Sequence, residues 1–312
     1  MRHVVVNPSA GLLRQRPDLL VTVARQVRGR ASLWVPRDLE ELETAARGIV
    51  RRPGPIALCG GDGTFMAGLS ALCRVADDHS LPPIAFVAGG TVATVARAWG
   101  TVDGVGAALD RWLRLPARPA TCQRSTLRIE DEAGMVRHGF TLGTGLVTRF
   151  FREYYRRGAT GLPLAATIFA RTYLGSLAMA RSAGRILAPL PCTLVVNHTP
   201  RPSRAYSLVV SSVLRNVGLG LHVTYRAGQD PDRLHLVATS LPARRLGPQA
   251  GRVLMGRPLR GPDVVDQLVR EFRLDFPSDR LGSYVLDGEL LQARWVRVAV
   301  GRRIDVVTVP GP

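Results

Sequence analysis

The run Gly60-Gly61-Asp62-Gly63-Thr64 lies between a short apolar stretch at residues 56–59 and a segment of helical character at residues 65–75. Glycines let a backbone approach a ligand closely, and free N–H groups at a helix N-terminus bind phosphate oxygens. A carboxylate among these amides repels a bare phosphate, so Asp62 needs a bridging metal or a hydroxyl that donates to it. The run therefore indicates nucleotide-phosphate chemistry with Mg²⁺ or a hydroxyl acceptor, and a ligand-free glycine turn is the weaker interpretation.

Predicted strands and helices alternate around this run, from residue 1 to about residue 118. Strands are predicted at 3–6, 32–35, 56–59 and 84–87, with helices between and after them, and Asp38 followed by Glu41 indicates a helix N-terminus. This alternation predicts an α/β domain with an open, mostly parallel sheet. Ligands of such sheets bind at the carboxyl ends of the strands, so the loops at Asn7, Gly60 and Gly89 are expected at one edge.

The pattern changes after Pro116 and Pro119. A hairpin is predicted over 125–141, an arginine-studded helical insertion over about 150–186, and strands at 192–197, 205–214, 221–225, 234–241, 294–300 and 304–309. Residues 285–289 are predicted to be a strand that enters a turn. The second domain is therefore predicted to be β-rich and antiparallel with a helical insertion. We expect a first domain over 1–118 and a second over 119–296, and strands at about 297–312 are candidates for a return to the first.

The charge of the chain is strongly positive and comes from one residue type. The 312 residues carry a net charge of +18, and all 42 basic residues are arginine. Without lysine, a Walker-type phosphate loop is excluded. The charge predicts attraction to polyanions; an anionic membrane surface is favoured over specific nucleic-acid binding, because no DNA-binding motif is present and aromatic residues make up only 6%. Compositional drift explains the charge equally well.

Metal, disulfide and targeting signals are weak. The cysteines are widely spaced and the histidines form no metal-binding motif. The N-terminus has no signal-peptide layout, and the longest apolar stretch, 162–180, contains Pro163 and Arg171. We expect a cytoplasmic protein, with peripheral association at the inner membrane face.

Three loops and one late turn carry a resemblance to a known superfamily. Asn7-Pro8-Ser9-Ala10-Gly11, the glycine run and Gly89-Gly90-Thr91, in this order and spacing, resemble the catalytic domain shared by bacterial lipid kinases, diacylglycerol kinases and sphingosine kinases. This superfamily is related to the NAD kinases. The late Asp287-Gly288-Glu289 resembles the D-G-E turn of the same family. The resemblance implies an NAD kinase-like first domain and a β-rich second domain for the lipid substrate.

The activity that this resemblance implies is transfer of the γ-phosphate of ATP to a hydroxyl of a lipid alcohol, either diacylglycerol-like or sphingoid-like, with Mg²⁺. It assigns catalytic roles to Asp62 and Glu289, and metal binding to Asp287 and Glu289. The nucleotide-binding positions that it implies are Asn7, Ser9, Gly11, Gly60, Gly61, Gly63, Thr64, Gly90 and Thr91.

Several polar positions of the family are absent from this chain. Met66 and Ala67 stand where the family has Asn-Glu, Ala93 where it has asparagine, and Arg233 where it has glycine. These departures favour an alternative, a catalytically weakened kinase-fold protein that binds nucleotide or lipid in a regulatory role. An NAD kinase is a further alternative, disfavoured by the opening Asn-Pro loop and the missing Asn-Glu pair.

The helical insertion has two interpretations. It docks on anionic lipid, or it covers the β domain with its arginines in solvent; the second is slightly favoured, because charged runs are usually solvated. No motif names the lipid substrate. The resemblance and an exposed sheet edge favour a homodimer.

Overall fold

The chain forms two compact units. The computed structural model describes residues 1–77, 79–90, 92–100, 103–156, 161–178, 180–279 and 281–308. The first unit comprises Met1–Arg124 and Arg303–Pro312, and the second comprises Ser125–Arg302.

Strands and helices alternate in the first unit, as the sequence predicts. In chain order they are β1 (His3–Val6), α1 (Gly11–Gln15), α2 (Asp18–Val27), β2 (Ser32–Trp34), α3 (Leu39–Arg51), β3 (Ile56–Gly60), α4 (Asp62–Ala76), β4 (Ile84–Ala88), α5 (Thr94–Trp99) and α6 (Val105–Arg114).

The sheet of the first unit is parallel. Its strand order is β4-β3-β1-β2, with Val4 beside Leu33 on one side and beside Ala57 on the other. Near the C-terminus Val306 pairs in parallel with Ile84. Strands β1 and β3 are completely buried, which is typical of parallel sheets covered on both faces. The predicted α/β class with a mostly parallel sheet is confirmed.

Local features of side chains and backbone determine where two helices of the first unit begin. The carboxylate of Asp38 accepts the N–H of Glu41 at 2.8 Å and caps α3, as the sequence predicts. Helix α4 begins three residues earlier than the periodicity suggests, because Gly61 already has extended backbone and serves as its N-cap. Asp62, Gly63 and Thr64 therefore lie in the first helical turn rather than in a loop.

The second unit is mainly β-structure with helices. Its strands are β5 (Thr121–Asp131, which begins in the first unit), β6 (Val136–Gly139), β7 (Thr141–Gly145), β8 (Leu190–Pro191), β9 (Thr193–Val196), β10 (Thr199–Pro200), β11 (Ala205–Tyr206), β12 (Leu208–Ser212), β13 (Leu234–Thr239), β14 (Val265–Val269), β15 (Glu271–Asp275), β16 (Gly282–Leu286), β17 (Glu289–Ala293) and β18 (Trp295–Val307, which ends in the first unit). Its helices are α7 (Leu146–Arg156), α8 (Leu162–Leu177), α9 (Arg181–Leu187), α10 (Ala243–Leu246) and α11 (Ala250–Leu254), with a 3₁₀ turn at Gly247–Gln249.

Strand pairing in the second unit is antiparallel. One sheet has the order β14-β13-β12-β7-β16-β17, and β10, β9, β15 and β18 follow one another in a second. Strands β5 and β6 form the predicted hairpin. The predicted β-rich, antiparallel second domain is confirmed, together with its helical insertion.

Two strand predictions are wrong. Residues 221–225 alternate in polarity but form turns, because buried Thr224 donates its hydroxyl to the carbonyl of Leu214 at 2.7 Å and Val223 packs into a hydrophobic cluster. The two strands expected at 294–300 and 304–309 are one continuous strand, β18, which ends at Val307, and residue 309 lies outside the described residues. A Cβ at Gly301 would lie 2.6 Å from Oγ1 of Thr126, so this glycine permits close strand packing instead of ending the strand.

The inserted helices cover one sheet of the second unit. Helix α7 packs on β7, β12 and β16, and α8 packs on α7 and α9. Tyr154, Ala165 and Ile168 form the core between α7 and α8. No helix within the described residues has the length and apolar character needed to cross a bilayer.

Candidate functional site

Three loops meet at the carboxyl ends of β1, β3 and β4. The N–H of Asn7 donates to the carbonyl of Cys59 at 3.1 Å, and the N–H of Gly89 donates to the carbonyl of Gly60 at 2.8 Å. The N–H of Leu12 then donates to the carbonyl of Gly89 at 3.2 Å. The three loops that the sequence placed at one sheet edge are thus joined by backbone hydrogen bonds.

The side chain of Asn7 organises the opening loop. Its Nδ2 donates to Oγ1 of Thr64 at 2.9 Å, and its Oδ1 accepts the N–H of Ser9 at 2.9 Å. Asn7 therefore links β1 to the first turn of α4 and fixes the hydroxyl of Thr64. Ser9 is exposed in this loop, and Gly11 begins α1.

Glycines are required here by close backbone contacts. A Cβ at Gly90 would lie 2.5 Å from Cα of Gly61, and a Cβ at Gly60 would lie 2.5 Å from Cβ of Thr64. A Cβ at Gly90 would force the two loops apart, whereas a Cβ at Gly60 would collide with Thr64 of its own run. These glycines permit contact between the two loops as well as access to the backbone.

The N-terminus of α4 presents unused hydrogen-bond donors. The N–H groups of Asp62, Gly63 and Thr64 have no acceptor among the described residues, and Gly61 supplies no capping side chain. An α-helix leaves its first N–H groups without intrahelical partners. Such amides, together with the positive end of the helix dipole, are suited to phosphate oxygens.

The carboxylate of Asp62 caps the neighbouring helix α5. Its two oxygens each accept a backbone N–H at 2.9 Å, one from Thr94 and one from Val95. The N-cap residue of α5 is Ala93, which has no side-chain acceptor and adopts a left-handed conformation with φ 46°. Asp62 therefore supplies the acceptor that Ala93 lacks.

Burial raises the pKa of Asp62 above its usual value, because the charged form loses water. The two amide hydrogen bonds and the charge of Arg97 oppose this shift. A carboxyl group with a raised pKa retains the basicity needed to accept a proton near neutral pH.

The remaining predicted positions of the first unit are only partly described. Gly90 lies in the contact with Gly61, whereas Thr91 lies outside the described residues. Met66, which stands where the family has asparagine, is buried in α4 with 5% exposure. This position is therefore part of the hydrophobic core.

The acidic turn of the second unit joins β16 to β17. Asp287 and Gly288 have φ values of 48° and 91°, as in the two-residue hairpin turns in which both residues have positive φ. The Asp287 carboxylate accepts the N–H of Thr141 at 2.8 Å and the N–H of Phe140 at 2.9 Å. Asp287 is buried, so its carboxylate stabilises the junction of β6 and β7.

Glu289 is the exposed acid of this turn. Nearby protein atoms raise its pKa by desolvation, and the charge of Arg137 opposes the shift. The hydroxyl of Tyr155 on α7 donates to the carbonyl of Gly288 at 2.5 Å. No sequence motif singles out Tyr155, and the aromatic run at 150–155 is its only signal in the sequence.

No group of three histidine, cysteine or acidic side chains within the described residues could hold a metal ion. Mg²⁺ commonly needs only one or two carboxylates, because phosphates and waters complete its shell. Glu289 fits such a role, since no described residue donates a hydrogen bond to its side chain. Asp287 is less suited, because it is buried and its carboxylate already accepts two backbone N–H groups.

We expect Gly90→Ala to lower the free energy of unfolding by about 1–3 kcal/mol, because the added Cβ overlaps the backbone of Gly61. Urea denaturation followed by circular dichroism measures this loss. Gly100→Ala is the matched control, since a Cβ there meets no atom within 4 Å. Equal stability of the two variants would contradict the close loop contact.

Asp287→Ala should lower the free energy of unfolding by about 2–5 kcal/mol, because two backbone N–H groups lose their acceptor. Asp287→Asn should lose less, since asparagine tolerates positive φ and retains one acceptor oxygen. Asp263→Ala controls for backbone strain, because exposed Asp263 also has positive φ, 56°. A loss no larger than that of the control would argue against the two hydrogen bonds.

Comparison with known proteins bears on both units. Residues 2–124 match the diacylglycerol kinase catalytic domain. No match is found among curated protein sequences.

Solved structures share the fold over nearly the whole chain. A diacylglycerol kinase from Bacillus anthracis str. Sterne matches with a TM-score of 0.63 at 12% identity, over 99% of this chain and 97% of that one. A proposed diacylglycerol kinase from the same organism gives a TM-score of 0.69 at 13% identity, over 99% and 96%. Yeast NADH kinase gives 0.52 at 12% identity, over 99% and 83%. At these identities the likeness shows the fold alone.

The sequence match and the shared fold agree with the resemblance inferred from the motifs. Residues 2–124 are thus similar in sequence to the diacylglycerol kinase catalytic domain.

Proposed function

We propose that this protein is a lipid kinase that transfers the γ-phosphate of ATP to a hydroxyl of a lipid alcohol. The observation that carries the proposal is the loop cluster of the first unit, where free amides at the N-terminus of α4 adjoin a carboxylate of raised pKa. The catalytic-domain match over residues 2–124 supports the same reaction class.

The loop cluster fits the phosphates of a nucleotide. The amides of Asp62, Gly63 and Thr64 supply donors without adding side chains, and Asn7 holds the Thr64 hydroxyl beside them. Because the chain contains no lysine, these amides replace the lysine of Walker-type sites. Asn7, Ser9, Gly11 and the glycines at 60, 61, 63 and 90 are the proposed binding positions, with Thr91 proposed from the resemblance.

Mg²⁺ bound with ATP would neutralise phosphate charge during transfer. In this chain Glu289 is the proposed ligand, because it is exposed and its carboxylate is not used by backbone amides. Asp287 would fix the conformation of the turn that carries Glu289, because its carboxylate accepts the N–H groups of residues 140 and 141.

Asp62 is the proposed general base. It would accept the proton of the lipid hydroxyl while the hydroxyl oxygen bonds to the γ-phosphorus and the bond to the β-phosphate oxygen breaks, which releases ADP. Each Asp62 oxygen already accepts one amide hydrogen, and a carboxylate oxygen has a second lone pair for the incoming proton. The two amides fix the carboxylate in one orientation.

A lipid substrate is proposed from the domain family and from the β-rich second unit, and we propose a diacylglycerol-like or sphingoid-like alcohol. A binding protein without turnover is the second candidate. Buried Met66, the small Ala67 and Ala93 favour it, because three polar positions of the family are absent.

The proposed reaction predicts phosphate transfer from γ-labelled ATP to a bacterial lipid extract in mixed micelles with Mg²⁺. Asp62→Ala and Glu289→Gln should each lower the rate by about 100-fold or more, because they remove the base and a metal ligand. Glu40→Gln, at an exposed site on α3, should leave the rate unchanged. Thin-layer chromatography of the labelled product identifies the lipid class.

Circular dichroism of each variant must accompany this assay, because Asp62 also caps α5. Absence of labelled lipid from folded wild-type protein that still binds ATP would support the non-catalytic candidate. Labelling of NAD instead of lipid would assign the protein to the NAD kinases.

The pH dependence of the rate provides a separate test of Asp62. The base must be deprotonated, so activity is lost as pH falls through the raised pKa of Asp62. The positive charge of Arg97 lowers that pKa. We therefore expect Arg97→Gln to move the acidic limb of the kcat/KM profile to higher pH, whereas Arg28→Gln should not move it. An unchanged acidic limb in Arg97→Gln would exclude Asp62 as the titrating base.

A further inference from the structure

The helices α8 to α11 of the second unit lie in a part of the sequence without acidic residues. Between Glu153 and Asp230, and again between Asp232 and Asp263, the chain has neither aspartate nor glutamate. All of these helices fall within the two acid-free stretches. The positive charge of the protein is therefore concentrated there without local compensation.

These helices form one packed layer. Helix α8 packs on α9 and on the 3₁₀ turn at Gly247–Gln249, and that turn also packs on α10 and α11. Gly247 lies directly against Ser176, leaving no room for a side chain. Leu187 of α9 and Leu246 of α10 anchor the layer in a hydrophobic cluster with Val210 of the sheet.

The outer side of α8 is mainly apolar and carries one arginine. Its exposed residues recur at helical spacing and lie on one face; they are Pro163, Ala166, Thr167, Ala170, Arg171 and Leu174. Leu174 is 60% exposed, and at the end of α11 Leu254 and Met255 are 46% and 59% exposed. A helix whose buried face is apolar and whose exposed face is mainly apolar is incompletely covered in the isolated chain.

Exposed arginines accompany these apolar residues, and none of them pairs with a carboxylate among the described residues. They are Arg171, Arg181, Arg185, Arg244, Arg245, Arg257 and Arg260. Some arginines on the helices of the first unit do have acidic partners, since Arg47 pairs with Glu43 and Arg114 pairs with Asp110 within their own helices. The unpaired arginines leave a cationic field beside exposed leucine and methionine.

We propose that the outer face of α8 to α11, called here the basic helical face, docks on the surface of an anionic lipid bilayer. Apolar side chains enter the headgroup boundary while arginines contact lipid phosphates, as in interfacial helices. The phosphates of nucleic acid would pair with the arginines, but they would offer no apolar environment for Leu174, Leu254 and Met255. A bilayer satisfies both. This docking proposal is independent of the proposed kinase reaction, because docking requires neither ATP nor turnover.

Sedimentation of the full chain with vesicles tests this surface. At 0.15 M salt the protein should bind vesicles of phosphatidylglycerol and phosphatidylcholine, and bind pure phosphatidylcholine far more weakly. The double variant Arg171→Gln, Arg185→Gln should weaken binding about 25-fold, since each arginine near an anionic surface contributes about fivefold. Arg25→Gln, Arg28→Gln is the matched control, with equal charge loss at exposed, unpaired sites on and just after α2, and should weaken binding less than twofold.

A separate variant tests the apolar contribution to vesicle binding. Leu174→Ser should weaken binding about fivefold or more, and this loss should persist at 0.5 M salt, because it does not depend on charge. Equal weakening by both double variants would show that net charge alone attracts the vesicles and would overturn the proposal. So would equal binding to both vesicle types, or tight retention on duplex DNA without vesicle binding.

Phosphate transfer in nonionic detergent micelles separates this proposal from the kinase proposal. The variants of the basic helical face should retain wild-type rates in micelles, because they leave the loop cluster and the acidic turn intact. Loss of vesicle binding with normal micellar activity supports both proposals. Normal vesicle binding without any phosphate transfer would contradict the kinase and leave the docking surface supported.

Discussion

Contact between the backbones of two glycine loops is the constraint on which the candidate site depends. Gly61 and Gly90 approach so closely that no side chain fits at Gly90, and the N–H of Gly89 donates a hydrogen bond to the carbonyl of Gly60 at the strand ends. Parallel pairing of β3 with β4 brings the two loops side by side. The free amides at the start of α4 are thereby fixed in place before any ligand arrives, which lowers the ordering cost of binding.

Two acidic residues with proposed functional roles also stabilise the fold. Asp62 caps α5, and Asp287 satisfies two amides at the junction of β6 and β7. A buried carboxylate that accepts backbone N–H groups is held in a single orientation, and its removal leaves those donors without partners. Loss of activity in a variant at either position therefore has two physical causes, which only a parallel stability measurement can separate.

Charge is distributed unevenly between the two units. In the first unit, Arg47 on α3 and Arg114 on α6 each pair with an acidic residue one turn away, which is the usual arrangement of solvated helices. In the second unit, α8 to α11 carry arginines without acidic neighbours and expose leucine and methionine. Part of the net charge of +18 therefore lies in one helical layer that has no acidic residues of its own.

The sequence by itself determined the α/β class of the first unit, its strand ends and the glycine loops, because apolar periodicity, capping residues and glycine act locally. Only the tertiary structure decided that residues 221–225 form turns, that β18 passes Gly301 unbroken, and that Tyr155 contacts the acidic turn. The partners of Asp62 lie 32 and 33 positions away in the chain. Such contacts depend on which distant segments pack together, and no local pattern records that choice.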